Sequence, residues 1–407
     1  MPRDRALSTA KTSGRLRVLF FVDGFTDIRF VVGLSEVCDL TMALPAHAYV
    51  ESTLKERVAS SGARVKVHEI EGGRLTFQSQ SFAYLWSVAQ NFDVILSQEM
   101  LRGSLNATII GALRHVPVVT TLATSPVDYF KCRRERGQID AATSWLGTSL
   151  IRALMTINGR LATRCLALGP YLCDVSSRIC ARTEMGYYYG VDTELYRPAD
   201  DNARARLRRR LGLPASRFLV VLASRISHEK DPETVLHAVA RARDRGLDAV
   251  LLNLGGGYEQ FLALADSLGI PDHESWVMGR PAAHPMADLP DYFRSADLVV
   301  QGSLAEGFGL SPLEALACET PVVATNVDGM AAHLRPYARL TPRRDVEAMA
   351  EAILDIASNP SAARVDARRG REYVQQYWNR SRAFAELHRS LTAAAGYELA
   401  MITRAAA

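Results

Sequence analysis

Two carboxylates, Glu306 and Glu314, stand eight residues apart in the stretch S-L-A-E-G-F-G-L-S-P-L-E-A-L-A-C-E-T-P-V-V-A-T-N, residues 303–326. A Gly-Phe-Gly turn lies between them. Ser311-Pro312-Leu313-Glu314 then carries the marks of a helix start: a hydroxyl at the N-cap, proline at the first helical position, and glutamate three residues beyond the cap. Thr320-Pro321 ends that helix before a buried strand, Val322-Val323-Ala324. Gly307 and Gly309 bare their backbone amides in front of a helix N-terminus, an arrangement that suits an anion such as phosphate. Glu314 reads in two ways, as the reciprocal partner of Ser311 in a capping box or as a carboxylate at the edge of the bound group.

The elements that must position this turn alternate between strand and helix. Apolar runs at 17–22, 40–44, 64–67, 93–96 and 117–121 read as strands, with helices over 81–90 and 105–114 among them. The aromatic run Tyr187-Tyr188-Tyr189 reads as a strand leaving this half, and the charged segment 200–210 as an exposed connection. The pattern then resumes with strands at 218–223, 248–254, 276–280 and 296–300. This order predicts an α/β chain with two doubly wound sheets, whose ligands lie beyond the carboxyl ends of the strands. In the first half those loops are Asp23-Gly24, Ser97-Gln98-Glu99 and Thr121 to Tyr129. Because D-G-F-T-D-I-R follows the first strand in place of G-x-G-x-x-G, a dinucleotide oxidoreductase loses its main support.

In that setting, E-G-F-G-L-S-P-L-E-A-L-A-C-E-T-P-V-V-A resembles the E-x7-E signature of glycosyltransferase family 4, the glycosyl transferases group 1. The resemblance implies the GT-B fold, two Rossmann-like doubly wound domains facing each other across a cleft. It implies that Glu306 lies by the donor sugar and that Glu314 holds the ribose, with Gly307, Phe308, Gly309 and Leu310 in the donor site. The loop S-R-I-S-H-E-K-D is similar to the family's G-R-L-x-x-x-K-G, which implies that Arg225 and Lys230 hold the pyrophosphate while Ser224 and Asp231 replace glycines. Gly279 ends the strand that would meet the base. G-V-D-T-E-L-Y-R-P is similar to the segment that crosses between domains, and Y-W-N-R-S to the segment after which the last helix returns. The implied domains are 1–190, with a C-terminal helix of about 379–407 packing back on it, and 191–378.

The implied reaction moves a sugar from a UDP- or GDP-sugar to an acceptor hydroxyl with retention of anomeric configuration. It uses no protein nucleophile; the leaving phosphate takes the acceptor's proton. No cofactor is obligatory and no metal is expected. On the acceptor side the expected residues are Gly24, Thr124 and Asp128. Ala123 stands where the family has a histidine, and Asp23-Gly24-Phe25 stands in place of paired glycines. That departure motivates a second reading, a nucleotide-sugar-binding protein of the same fold that has lost transfer. A third keeps the fold and makes the protein a nucleotide-sugar epimerase or phosphorylase.

A length of 407 residues accommodates two domains, and 48% hydrophobic with 23% charged residues is the composition of a soluble globular chain. The net charge of +4 suits a phosphate-bearing ligand or an anionic membrane surface. The six cysteines form no C-x-x-C pair and no metal spacing, and read as reduced thiols. No apolar run approaches the ~18 residues of a membrane span, and a polar basic tail opens the chain, so a cytoplasmic protein of carbohydrate biosynthesis is expected. The basic cluster 131–136 precedes an amphipathic stretch over 145–166, which reads either as a patch for peripheral contact with the inner membrane face or as a solvated loop before a core-packed helix. The run at 204–210 reads as a solvated helix face. Neither basic run is interleaved with aromatic residues, so nucleic acid is not an expected partner. Polysaccharide, lipid-linked and small-molecule acceptors all remain open.

Overall fold

The computed structural model describes residues 15–73, 76–255 and 257–396. The basic tail before Arg15, Gly256 in the glycine run that follows the strand at 248–254, and the part of the expected last helix beyond residue 396 lie outside the described residues.

The first sheet contains β1 (Arg17–Phe21), β2 (Asp39–Pro45), β3 (Val65–Ile70), β4 (Val94–Gln98), β5 (Val118–Leu122), β6 (Arg164–Leu168) and β7 (Thr183–Gly186). They pair in parallel in the order β3-β2-β1-β4-β5-β6-β7. The second sheet contains β8 (Phe218–Leu222), β9 (Ala249–Asn253), β10 (Val277–Gly279), β11 (Leu298–Gln301), β12 (Val322–Thr325) and β13 (Arg339–Thr341), in the order β10-β9-β8-β11-β12-β13. The central strands are mostly apolar because helices cover both faces; β5 and β9 are buried along their whole length. Each sheet reverses its winding at its middle, between β1 and β4 and between β8 and β11. A crevice must open there at the carboxyl ends of the strands.

The helix Arg380–Ala394 returns to the first domain. Phe384 packs where Gly33 leaves space on the Ile28–Val37 helix: a Cβ at Gly33 would lie 2.0 Å from the Phe384 ring. Arg380 also pairs with Glu36 at 2.7 Å, and Val191 bridges Asn379.

Three expectations change. Tyr187 to Tyr189 form a turn, with Tyr188 at φ 52, and the strand before it is β7; the ring of Tyr188 stacks on Phe30, which fixes the turn. The amphipathic stretch is a helix only over Ala141–Leu161, because Arg164 onward pairs with β5. The basic run at 204–210 is not wholly solvated: Arg204 and Arg208 both grip Asp297, and the Arg208 guanidinium, 6% exposed as a residue, also donates to the carbonyls of Ser295 and Arg217.

Candidate active site

The Gly-Phe-Gly turn is shaped by how closely other chain segments approach it. A Cβ on Gly307 would lie 2.5 Å from the Ala123 carbonyl of the opposite domain, and one on Gly329 would lie 1.9 Å from the Glu306 carbonyl. Gly309 adopts φ +89 and caps the Leu310–Ala317 helix, so that helix starts before Ser311. The capping box is therefore not formed. Ser311 Oγ donates instead to the Ala223 carbonyl at 3.3 Å, because the helix N-terminus abuts the end of β8.

Glu306 and Lys230 form an ion pair, and Glu306 also accepts from Ser303 Oγ at 3.3 Å. The Lys230 loop is joined to the motif by the Leu304 amide, which donates to the Glu229 carbonyl at 2.7 Å. Asp231, which replaces a glycine of the expected loop, keeps a left-handed backbone at φ 44 and ψ 59. Its carboxylate is satisfied by Thr234 Oγ1 at 2.6 Å and by Arg136 at 3.1 Å. Arg136 also pairs with Glu233 at 2.6 Å, so one residue of the expected basic patch clamps the two domains together. Arg225 extends into solvent and pairs with Glu229 at 2.9 Å. Gly279 closes β10 beside the Tyr258 carbonyl, 3.0 Å from where its Cβ would stand.

Two residues expected in the donor site are engaged elsewhere. Phe308 is 1% exposed, its ring stacked 4.1 Å from His333 and tilted against Trp378 at 4.3 Å, so its side chain belongs to the interdomain core. Glu314, also 1% exposed, pairs with Arg29 of the first domain. Asp27 caps the Ile28–Val37 helix through the Arg29 amide at 2.8 Å and grips the Arg29 guanidinium at 2.9 and 2.8 Å. Tyr189 accepts from Arg29 at 2.7 Å. Burial, outweighing the attraction of Arg29, pushes the Glu314 carboxyl up to about 7.

On the acceptor side, Asp128 is held by Ser125, by Tyr171 and by Lys131 at 3.1 Å. Burial alone would raise its pKa, but these hydrogen bonds outweigh it and hold the carboxyl below its ordinary value. Thr124 donates to Glu99 at 3.1 Å, and the Ala123 amide approaches the same carboxylate at 3.4 Å. Gly24 sits at the end of β1 with open space where a Cβ would stand. Asp128, Lys131, Tyr171, Glu306, Asp328 and Arg343 line an open cleft of about 380 Å³ between the domains. Tyr129 faces the second domain against Leu304 and Ala305; burial, then the charges of Glu306 and Glu229, push its phenol well above the usual range. The sequence marked the loops of Arg29, Glu99 and Tyr129 as cleft loops or their neighbours, but no local signal distinguished these side chains. Only Asp27 as a helix cap was readable from residue type.

Residues 203–373 match the family described as glycosyl transferases group 1. Over that segment, 171 of the 407 residues, the chain is similar to group 1 glycosyl transferases. Among curated relatives, the D-inositol 3-phosphate glycosyltransferase of Saccharomonospora viridis is 36% identical over 220 residues, 50% of this chain and 49% of that protein. The GDP-mannose-dependent alpha-(1-6)-phosphatidylinositol monomannoside mannosyltransferase of Mycolicibacterium smegmatis is 34% identical over 46% of this chain and 51% of that protein. The chain thus spans about half the length of these relatives. Among solved structures, Anabaena HepE in complex with UDP-glucose superimposes with a TM-score of 0.73 at 19% identity, over 93% of this chain and 100% of that one. Sucrose-phosphate synthase from Thermosynechococcus elongatus gives 0.72 at 19% identity over the same shares. This likeness shows a GT-B fold across both domains.

Proposed function

We propose that the protein is a retaining hexosyltransferase that moves a sugar from a UDP- or GDP-sugar to an acceptor hydroxyl. The observation that carries the reading is the Lys230–Glu306 pair, set beside a glycine turn and a helix N-terminus at the mouth of the interdomain cleft. As the sugar leaves, negative charge grows on the pyrophosphate. Lys230, Arg225 and the amides after Gly309 are the groups that would offset it, each cation contributing about 4 kcal/mol of gross attraction at ~4 Å before desolvation. Glu306 would then be released from Lys230 to hold sugar hydroxyls. Glu314 could reach the ribose only by leaving Arg29, which makes nucleotide binding compete with an interdomain contact. Because one relative is named for GDP-mannose and a structural neighbour is a complex with UDP-glucose, those two donors head the panel.

The test is release of nucleoside diphosphate from UDP- and GDP-sugars with a cell extract supplying acceptors, alongside Lys230→Ala. Release that depends on one donor and falls about 10²- to 10³-fold in the variant supports transfer. Tight donor binding without turnover under any acceptor favours the impaired binding protein, for which Ala123 is the motivating residue.

A finer part of the reading concerns where the acceptor is met. The Ala141–Leu161 helix turns Trp145 (71% exposed), Leu146, Leu150 and Ile157 to solvent and buries Ser144, Thr148 and Asn158 instead. Its only charged residues are Arg152 and Arg160, and Lys131, Arg133 and Arg134 lie on the preceding Pro126–Glu135 helix. An apolar stripe on a helix whose own charged residues are both cations fits an anionic bilayer, with the acceptor presented from it. Among the described residues no helix is long and apolar enough to cross a membrane.

A further inference from the structure

We propose that Glu99 is the first domain's contact to the transferred sugar, facing Glu306 across the cleft. The inference rests on the reading of the protein as a nucleotide-sugar enzyme and names a residue that reading did not use.

Four observations converge on Glu99. It follows β4, the strand beside β1 at which the first sheet reverses its winding, so it stands at the crevice the topology creates. Its backbone is left-handed at φ 66, a conformation disfavoured for a glutamate and retained where surrounding structure enforces it. Its carboxylate is oriented by Thr124 Oγ1 at 3.1 Å and lies 3.4 Å from the Ala123 amide, while the carbonyl of that same Ala123 abuts Gly307 of the motif turn. Finally, among the described residues no lysine or arginine forms an ion pair with it, although Glu306, Glu314, Asp27 and Asp231 in the same cleft are all paired. A carboxylate aimed by a hydroxyl, half removed from water and left without a cation still has lone pairs to offer a donor. The hydroxyls of a hexose are such donors; the phosphates of the nucleotide are not. Tyr129, whose phenol feels both Glu306 and Glu99, lies within electrostatic reach of both carboxylates. The sugar would then be held between one glutamate from each domain, so that it is fully gripped only when the domains are closed. Asp23 and Tyr188 are the other titratable groups whose charge interacts with that of Glu99.

The experiment compares the wild type with Glu99→Gln and Glu99→Ala by calorimetric titration of UDP, GDP, UDP-glucose and GDP-mannose. The ratio of the nucleotide-sugar Kd to the Kd of its own nucleotide cancels contacts to base and ribose and isolates those to the sugar. For the sugar nucleotide that the wild type accepts, the ratio should worsen about tenfold in Glu99→Gln, the size of one charge-assisted hydrogen bond, and further in Glu99→Ala. The affinity for the nucleotide alone should stay within twofold. An unchanged ratio in both variants overturns the inference and leaves the donor reading standing. Equal weakening of nucleotide and nucleotide sugar also overturns it, because Glu99 would then be structural. If the wild type binds none of the four, the enzyme reading itself fails and this inference with it.

Discussion

The two walls of the cleft handle charge differently. On the second domain, the ionic groups of the motif wait in pairs: Lys230 with Glu306, Arg225 with Glu229. A ligand there exchanges one partner for another, and the protein bears no large cost of isolated charge while empty. On the first domain, Glu99 waits without a cation, and burial pushes its carboxyl up to about 7 against the hydrogen bond from Thr124. The donor wall suits an anion through fixed charges and a helix end. The acceptor wall suits hydroxyls. Between them, Arg29 and Glu314 tie the walls together.

That tie offers the sharpest way to break the comparison. Arg29→Ala leaves Glu314 buried without its cation, which should cost about 3–5 kcal/mol in urea unfolding near pH 8. Below about pH 6 the cost should shrink, because Glu314 can enter the folded state protonated. A pH-independent cost would mean that the pair acts by packing alone. Next in size, Arg136→Ala removes the clamp on Asp231, 2% exposed, and should cost about 1–3 kcal/mol, with the second domain's loop rather than the first domain's core losing protection in hydrogen exchange.

A smaller effect tests the acceptor wall directly. Glu99 is raised in the folded state above its ordinary value of 4.5 to about 7. Between those values the folded chain keeps a proton that the unfolded chain has released, so this residue makes stability fall as pH rises, and the loss is complete above the folded value. Glu99→Gln cannot titrate. Its stability relative to the wild type should therefore rise by on the order of 1 kcal/mol between pH 5 and pH 7.5 and then level off, as read from urea midpoints. A flat difference would mean that Glu99 is ionised and solvated like a surface carboxylate. Smallest of all, Trp145→Glu with Leu150→Glu should change stability by no more than about 0.5 kcal/mol per site while abolishing sedimentation with phosphatidylglycerol vesicles. Unchanged sedimentation would remove the bilayer from the acceptor side, and a shift in mass by light scattering would point to a second copy of the chain instead.

Much of the fold was legible because it rests on local patterns. Short apolar runs separated by helices fix a doubly wound sheet whatever the loops contain, and the strands from Arg17 to Thr341 follow that order. The donor turn was legible because glycine spacing and a helix start are local too, although the start moved to Leu310 and dissolved the capping box. The Tyr187 to Tyr189 run misled because aromatic residues favour strands by packing, and here their packing partners hold them in a turn.

The sequence by itself determined two βα-repeating halves, the loops that meet in the crevice, and a turn suited to phosphate, because each depends on residues within one turn or strand of one another. The tertiary structure alone decided which charges are spent. Arg29 reaches Glu314 across 285 positions, and Arg136 reaches Asp231 across 95. Whether a carboxylate is paired or left to a ligand depends on what the opposite domain brings within about 4 Å, and no spacing along the chain encodes that distance.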